Sequence, residues 1–223
     1  MKKNKEPKYV MYRIIRFFVR PIYKFFYRPK FINKELIPKE GPIIICGNHY
    51  HAFDQFNVMT STNRILRYMA KKEYFDGEHS LFQATNPGKF SRWLSKWLVI
   101  NSGMISVDRS IKDEEAKGAA LEALANGEAI GIFPEGTRNK TKEWLLPFKF
   151  GAVSLAQKSG ATIVPYAITG EYKIFKRNRL AIRFGEPFRV SPSEDLQIAN
   201  EKLYNTISSL KKEGIDAIKN GKC

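Results

Sequence analysis

Short apolar runs, each followed by a stretch of helical periodicity, recur along the chain from residue 42 onward and leave few architectures open to it. Residues 42–47 (PIIICG) read as a buried strand, and residues 65–70, 104–107, 129–133, 162–168 and 180–184 read the same way. Helical patterns fill 54–62, 113–126, 150–159 and 195–212, with Ser110 as a cap ahead of the second and Gly127, Gly160 and Gly214 as expected stops. Residues 73–100 are less regular: Asn86-Pro87-Gly88 breaks the chain, then Phe90, Trp93, Leu94, Trp97 and Leu98 recur at helical spacing. Strands separated by helices predict an α/β fold with a largely parallel central sheet flanked by helices. At 223 residues and 43% hydrophobic, the chain suffices for one sizeable domain, 41–223, with the first 40 residues as an appendage.

Charge is placed unevenly. The net charge is +16, and residues 1–40 hold twelve Lys or Arg against three Glu, a surplus of nine. Such a block faces something anionic: lipid head groups, nucleic acid or acidic protein. Residues 9–27 (YVMYRIIRFFVRPIYKFFY) choose among these, because Arg13, Arg16, Arg20 and Lys24 form one polar stripe on a helix while Ile14, Ile15, Phe17, Phe18, Ile22 and Phe25 fill much of the rest. Pro21 suits a kink or the first turn of a second helix. The arginines interrupt any spanning run and any signal-peptide core. The pattern therefore predicts an amphipathic helical anchor lying on an anionic membrane surface, peripheral and monotopic. A basic helix docked on its own domain is the alternative. A nucleic-acid partner is not expected, since the aromatics crowd one apolar face instead of punctuating a polar one. Cys46 and Cys223 supply neither a disulfide framework nor metal-ligand spacing, which fits a reducing, cytosol-facing location.

Two short stretches carry the chemistry. In Asn48-His49-Tyr50-His51-Ala52-Phe53-Asp54 an imidazole precedes a carboxylate by five residues, directly after a strand. On an ideal helix the two would stand roughly 140° apart, so they meet only if the chain turns there from strand into helix. Meeting, they form a general base and its orienting partner. His49-x-His51 with a following carboxylate also has the look of a metal cluster, but only His79 remains as a further imidazole, and no metal is expected. In Phe133-Pro134-Glu135-Gly136-Thr137-Arg138, a carboxylate, a flexible backbone position, a hydroxyl and a guanidinium follow another strand. Arg109 at the end of 103–109 (GMISVDR), Arg138, and Lys149 before the third helical pattern place three cations after separate strands, which favours one shared anionic ligand.

Asn48-His49-x4-Asp54, Gly103-x5-Arg109, Phe133–Arg138 and Val164-Pro165, in that order, resemble the four sequence blocks of the glycerolipid acyltransferases, most closely the 1-acylglycerol-3-phosphate acyltransferases. The run Leu146-Pro147-Phe148-Lys149-x-Gly151 and Ala70-Lys71-Lys72-Glu73 match as well, so the resemblance spans about residues 40–170. Many members carry Ser or Asn where His51 stands, which leaves open whether His51 lines the site or assists. The resemblance implies transfer of a fatty acyl group from a thioester of coenzyme A or acyl carrier protein to a hydroxyl of lysophosphatidate, in phospholipid synthesis and without a cofactor. It implies His49 as base and Asp54 as its orienter, with Arg109, Arg138 and Lys149 on the acceptor phosphate. Glu135, Gly136 and Thr137 would orient the glycerol or the loop itself, and backbone amides or Lys72 would stabilise the oxyanion. Trp93 and Trp97 are candidates for the wall of an acyl tunnel. A non-catalytic lipid-binding protein on this fold, an acyltransferase for another anionic lysolipid, and a metallo-hydrolase are the competing readings.

Overall fold

Seven strands form one sheet in the order β1-β7-β6-β2-β5-β3-β4. The computed structural model describes residues 12, 14–81, 86–108, 114–175 and 179–220; Arg109 and Ser110, both named from the sequence, lie outside them. In chain order the elements are α1 (Arg20–Tyr27), β1 (Lys30–Ile32), β2 (Ile43–Gly47), α2 (Asp54–Ser61), β3 (Leu66–Lys71), α3 (Lys72–Asp76), α4 (Lys89–Asn101), β4 (Ile105–Val107), α5 (Glu114–Ala125), β5 (Ala129–Ile132), α6 (Gly151–Ser159), β6 (Thr162–Gly170), β7 (Leu180–Phe184) and α7 (Leu196–Lys219). All neighbouring strands run parallel except β6 and β7, so the sheet is largely parallel as expected.

β2 lies at the centre and is buried throughout, which its unbroken run of Ile and Cys permits. Its alternate side chains enter two cores. Ile44 and Cys46 join Ala120 of α5, Val153 of α6 and Leu203 of α7, while Ile43 and Ile45 join Val58 of α2, Tyr68 of β3 and Tyr166 of β6. Leu98 of α4 packs on the second layer, so α1, α2 and α4 share one face of the sheet.

Three departures from the sequence reading have physical reasons. β1 pairs with β7 from within the basic segment; three residues beside flanking lysines carry no periodic signal. α3 follows β3 directly and is too short to show a helical period. Gly214 does not stop α7, which runs on to Lys219. A Cβ at that position would stand 2.6 Å from the Thr169 hydroxyl, so this glycine lets the helix approach β6.

The N-terminal segment is helical as expected, with a π-helical turn over Ile15–Val19 running into α1 and Pro21 in the first turn of α1. It docks through tyrosines. Tyr12 is buried and bonds both backbone groups of Leu66, and buried Tyr23 bonds Asn57. The phenylalanines point the other way: Phe17 is 75% exposed, Phe18 and Phe25 59% each, Ile22 56%. Among the described residues, no helix is long and apolar enough to cross a membrane.

Candidate active site

β2 and β5 end side by side, and the loops that follow them interlock. Asn48 continues the pairing of β2 with a side chain: its amide donates to the Ile168 carbonyl at 3.0 Å and accepts from the Ile168 N–H at 2.8 Å. That fixes the first residue of the loop and aims the next one. The chain then turns sharply, and Asp54 opens α2 with its carboxylate at the helix N-terminus, where the peptide dipoles favour negative charge.

His49 and Asp54 meet. Nδ1 of His49 stands 2.8 Å from Oδ2 of the fully buried Asp54, and the backbone amides of Tyr50 and His51 donate to the same oxygen at 2.7 Å each. Because a carboxylate only accepts, Nδ1 carries the proton and Nε2 keeps a lone pair. The Phe133 ring stacks on the imidazole at 3.9 Å and 15°, and the Asn139 N–H donates to the His49 carbonyl at 2.6 Å. The ring is held in one orientation. An imidazole so tethered, with its free nitrogen toward a cavity, is equipped to take a proton from a bound hydroxyl.

The second motif divides between scaffold and cavity. Glu135 is 3% exposed; its two oxygens accept from the N–H of His49 at 2.8 Å and of Leu146 at 2.9 Å. Burial pushes its carboxyl above the usual carboxylate range, and the two amides pull it back. It ties the loop after β2 to both ends of the loop after β5 and does not line the cavity, so of its two expected duties it is built for orienting the loop. Gly136, Thr137, Arg138 and Lys149 do line it. Gly136 sits at φ 71°, and a Cβ there would come 2.9 Å from the Lys149 side chain, so this backbone lets the lysine pass beneath. Among the described residues neither Arg138 nor Lys149 has a carboxylate partner. Lys72 does not line the cavity; it pairs with Asp108 at 3.7 Å, while the adjacent Lys71 does line it. β3 ends at Lys71 and α3 begins at Lys72, so the backbone changes conformation between the two lysines.

The cavity measures about 750 Å³ and has two characters. Arg138, Lys140 and Lys149 line it together with Lys71 and Lys117, and Phe56, Met59, Tyr68, Leu98 and Met104 give it an apolar wall. Trp93 and Trp97 are not in that wall. They are 58% and 38% exposed on α4, in line with Phe90 and Ile100 on its outer side. Helical spacing alone could not tell the outward stripe from the inward one.

His51 packs its ring on Tyr172 at 4.0 Å and does not line the cavity. Burial lowers its pKa. Among the described residues, no three His, Cys, Asp or Glu side chains converge as a metal site requires. Sequence reasoning named Asn48 without a role and missed Asn57 and Tyr172, each of which acts through a partner remote in the chain.

Residues 28–169 match the family model described as Acyltransferase. The chain is 30% identical over 194 residues to the 1-acyl-sn-glycerol-3-phosphate acyltransferase of Bacillus subtilis, spanning 81% of this chain and 87% of that one. It is 32% identical over 148 residues to the protein of that name from Borreliella burgdorferi, spanning 66% of this chain and 53% of the relative. The crystal structure of the 1-acyl-sn-glycerophosphate acyltransferase of Thermotoga maritima shares the fold, with a TM-score of 0.65 at 18% identity over 96% of this chain and 84% of that one. A histidine and carboxylate joined at the rim of a parallel sheet, inside a region that matches throughout, leave one conclusion: the chain belongs to the Acyltransferase family, with the 1-acyl-sn-glycerol-3-phosphate acyltransferases as its relatives.

Proposed function

We propose that this acyltransferase moves a fatty acyl group from a thioester of coenzyme A or acyl carrier protein to the sn-2 hydroxyl of 1-acylglycerol-3-phosphate, giving phosphatidic acid. The observation that carries the reading is the Asp54-tethered His49 on the wall of one cavity that is lined by both cations and apolar side chains. Arg138 and Lys149, with Arg109 from the sequence motif, bind the acceptor phosphate; the apolar wall takes an acyl chain.

In the reaction, Nε2 of His49 takes the hydroxyl proton as that oxygen bonds to the thioester carbonyl carbon. Asp54 stabilises the imidazolium that forms. Collapse of the tetrahedral intermediate breaks the carbon–sulfur bond, and the departing thiolate receives the proton from His49. General-base assistance of this kind is worth about 10² to 10⁴ in rate. Glu135 holds the loop that presents Arg138, and Thr137 meets the acceptor from the cavity wall.

Work takes place on the cytoplasmic face of a membrane, with the segment before residue 40 seated on the leaflet. The outward phenylalanines of the N-terminal helices and the Trp93–Trp97 stripe of α4 support this seating, because both lie on the sheet face that holds the apolar wall. Each buried phenylalanine contributes about 2 kcal/mol and each basic residue near anionic lipid about 1 kcal/mol.

The test is thiol release from an acyl thioester with lysophosphatidate, on wild type and His49→Ala. The expected result is release that falls at least a hundredfold in the variant. Equal rates, or release only with a different anionic lysolipid, overturn the reading of base or acceptor respectively. Sedimentation with anionic vesicles tests the seating, using Phe17→Ser/Phe25→Ser rather than a deletion that would also strip Tyr12 and Tyr23 from the core. Unchanged sedimentation of that variant counts against it.

A further inference from the structure

A hydrogen-bonded chain leaves the dyad on the side away from the cavity and ends on α1. The Tyr172 hydroxyl donates to Oδ1 of Asp54 at 2.5 Å and accepts from Nδ2 of Asn57 at 2.6 Å. Oδ1 of Asn57 accepts from the Tyr23 hydroxyl at 2.6 Å. Each link has one direction: the carboxylate can only accept, so Tyr172 donates, the amide NH₂ must serve Tyr172, and the amide oxygen is left for Tyr23. Asp54, Asn57 and Tyr23 are all buried.

Ring contacts run beside this relay. Tyr172 lies flat on His51 and edge-on to Tyr27 at 5.9 Å, and Tyr27 meets Phe53 at 5.9 Å. Three residues on, the Phe175 N–H donates to the Phe26 carbonyl at 2.7 Å and its ring packs on Phe25 and Phe26. Residues 172–175 after β6 are thus tied to the helix α1 at both ends. Neither Tyr23 nor Tyr172 falls within the matched residues 28–169.

We propose that Tyr172 is a positioning residue for the His49–Asp54 pair and that Tyr23 holds it from α1, so that the seating of the N-terminal helix sets the basicity of His49. The inference rests on the acyl-transfer reading given above. Four donors share the charge of Asp54, three on Oδ2 and Tyr172 on Oδ1. Without the phenol, charge concentrates on the oxygen that faces His49, and the imidazolium becomes more stable. The base then needs a higher pH to be free. Burial, and after it the Asp54 charge, push the Tyr172 phenol upward, which keeps its proton in place throughout the working range. The other titratable groups facing the pair are Tyr50 and His51 on its own loop, Glu135 and Arg138 after β5, Tyr68 and Tyr166 of the sheet, and Tyr23. Tyr172→Phe leaves every one of them in place.

The experiment measures kcat and KM by thiol release on either side of neutrality for wild type, Tyr172→Phe, Tyr23→Phe and His49→Ala. The expected result for Tyr172→Phe is a KM within about twofold of wild type, a kcat lowered about tenfold, and an acid limb of kcat/KM moved up by about half a unit. Tyr23→Phe, which leaves all four donors on Asp54, moves the limb the same way by less. A wild-type kcat with an unmoved limb in Tyr172→Phe, or a lowered kcat with an unmoved limb, overturns the proposal. Should Tyr172→Phe fail to fold, Tyr23→Phe decides alone, and an unmoved limb there is again fatal. Wild type and His49→Ala releasing thiol equally would instead remove the acyl-transfer reading beneath it.

Discussion

Asn48 and Ile168 pair as two strand residues would, although on one side the partner is a side chain. The amide of Asn48 takes both backbone groups of Ile168 one residue past the end of β2, and it is 3% exposed. Asn48→Ala leaves two buried backbone groups unmet and releases the loop that aims His49. The expected cost is about 2 kcal/mol, seen as a lower denaturation midpoint at unchanged slope. Asn48→Asp should do no better, since a carboxylate has no donor for the Ile168 carbonyl.

Gly136→Ala meets two obstacles at once, a left-handed backbone and the Lys149 side chain 2.9 Å away. The strain costs more than about 1 kcal/mol. Lys149 is displaced from the cavity, so KM for the lysolipid should rise more than kcat falls. Steady-state kinetics with the acceptor as the varied substrate read this directly.

Arg138→Ala should raise the acceptor KM by about tenfold or more and leave the donor KM nearly unchanged, because a charge-assisted bond to phosphate contributes about 1.5–3 kcal/mol. Arg138→Lys restores the charge without the planar fork and recovers only part of the loss. Equal effects on both KM values would place the guanidinium elsewhere in the reaction.

His51 titrates in a predictable sense. Burial depresses its folded value below the ordinary imidazole 6.5. Between those two values the unfolded chain binds more protons, so this contribution to stability is complete above the ordinary value and is lost as pH falls through the depressed one. His51→Phe keeps the stack on Tyr172 and removes the titration. Melting temperatures should therefore decline less steeply on acidification in the variant than in wild type, even though it starts lower for want of the Phe53 N–H bond to Nδ1.

Tyr68 is a different case. Its hydroxyl is buried without a hydrogen-bond partner among the described residues, and its ring lies flat over Gly131, where a Cβ would stand 2.4 Å away. Tyr68→Phe relieves an unmet polar group and should stabilise the fold by about 1 kcal/mol. Gly131→Ala has no such room and should lower the melting temperature by several degrees.

The dyad was legible because its two members lie five residues apart and a strand-to-helix turn is the one local geometry that joins them. Unbroken apolar runs marked β2, β5 and β6 plainly, because parallel strands buried on both faces have no polar face to confuse the signal. What escaped was long-range. Tyr172 reaches Asp54 across 118 positions, and Tyr23 reaches Asn57 across 34, with no local pattern to mark either. Gly214 looked like a stop because a glycine in a helix is rarer as a packing notch than as a terminator. Lys71 ends β3 and Lys72 opens α3, and no sequence pattern marks that change of backbone between two adjacent lysines.

The antiparallel turn from β6 into β7 has a topological consequence. A parallel crossover would have carried the chain from the end of β6 back over a sheet face to the far edge. Reversing direction keeps residues 171–175 at the end of the sheet where the imidazole stands. Inserting or removing residues in that one hairpin would retune the base while every motif residue stayed the same, which gives evolution a dial set apart from the machinery it adjusts.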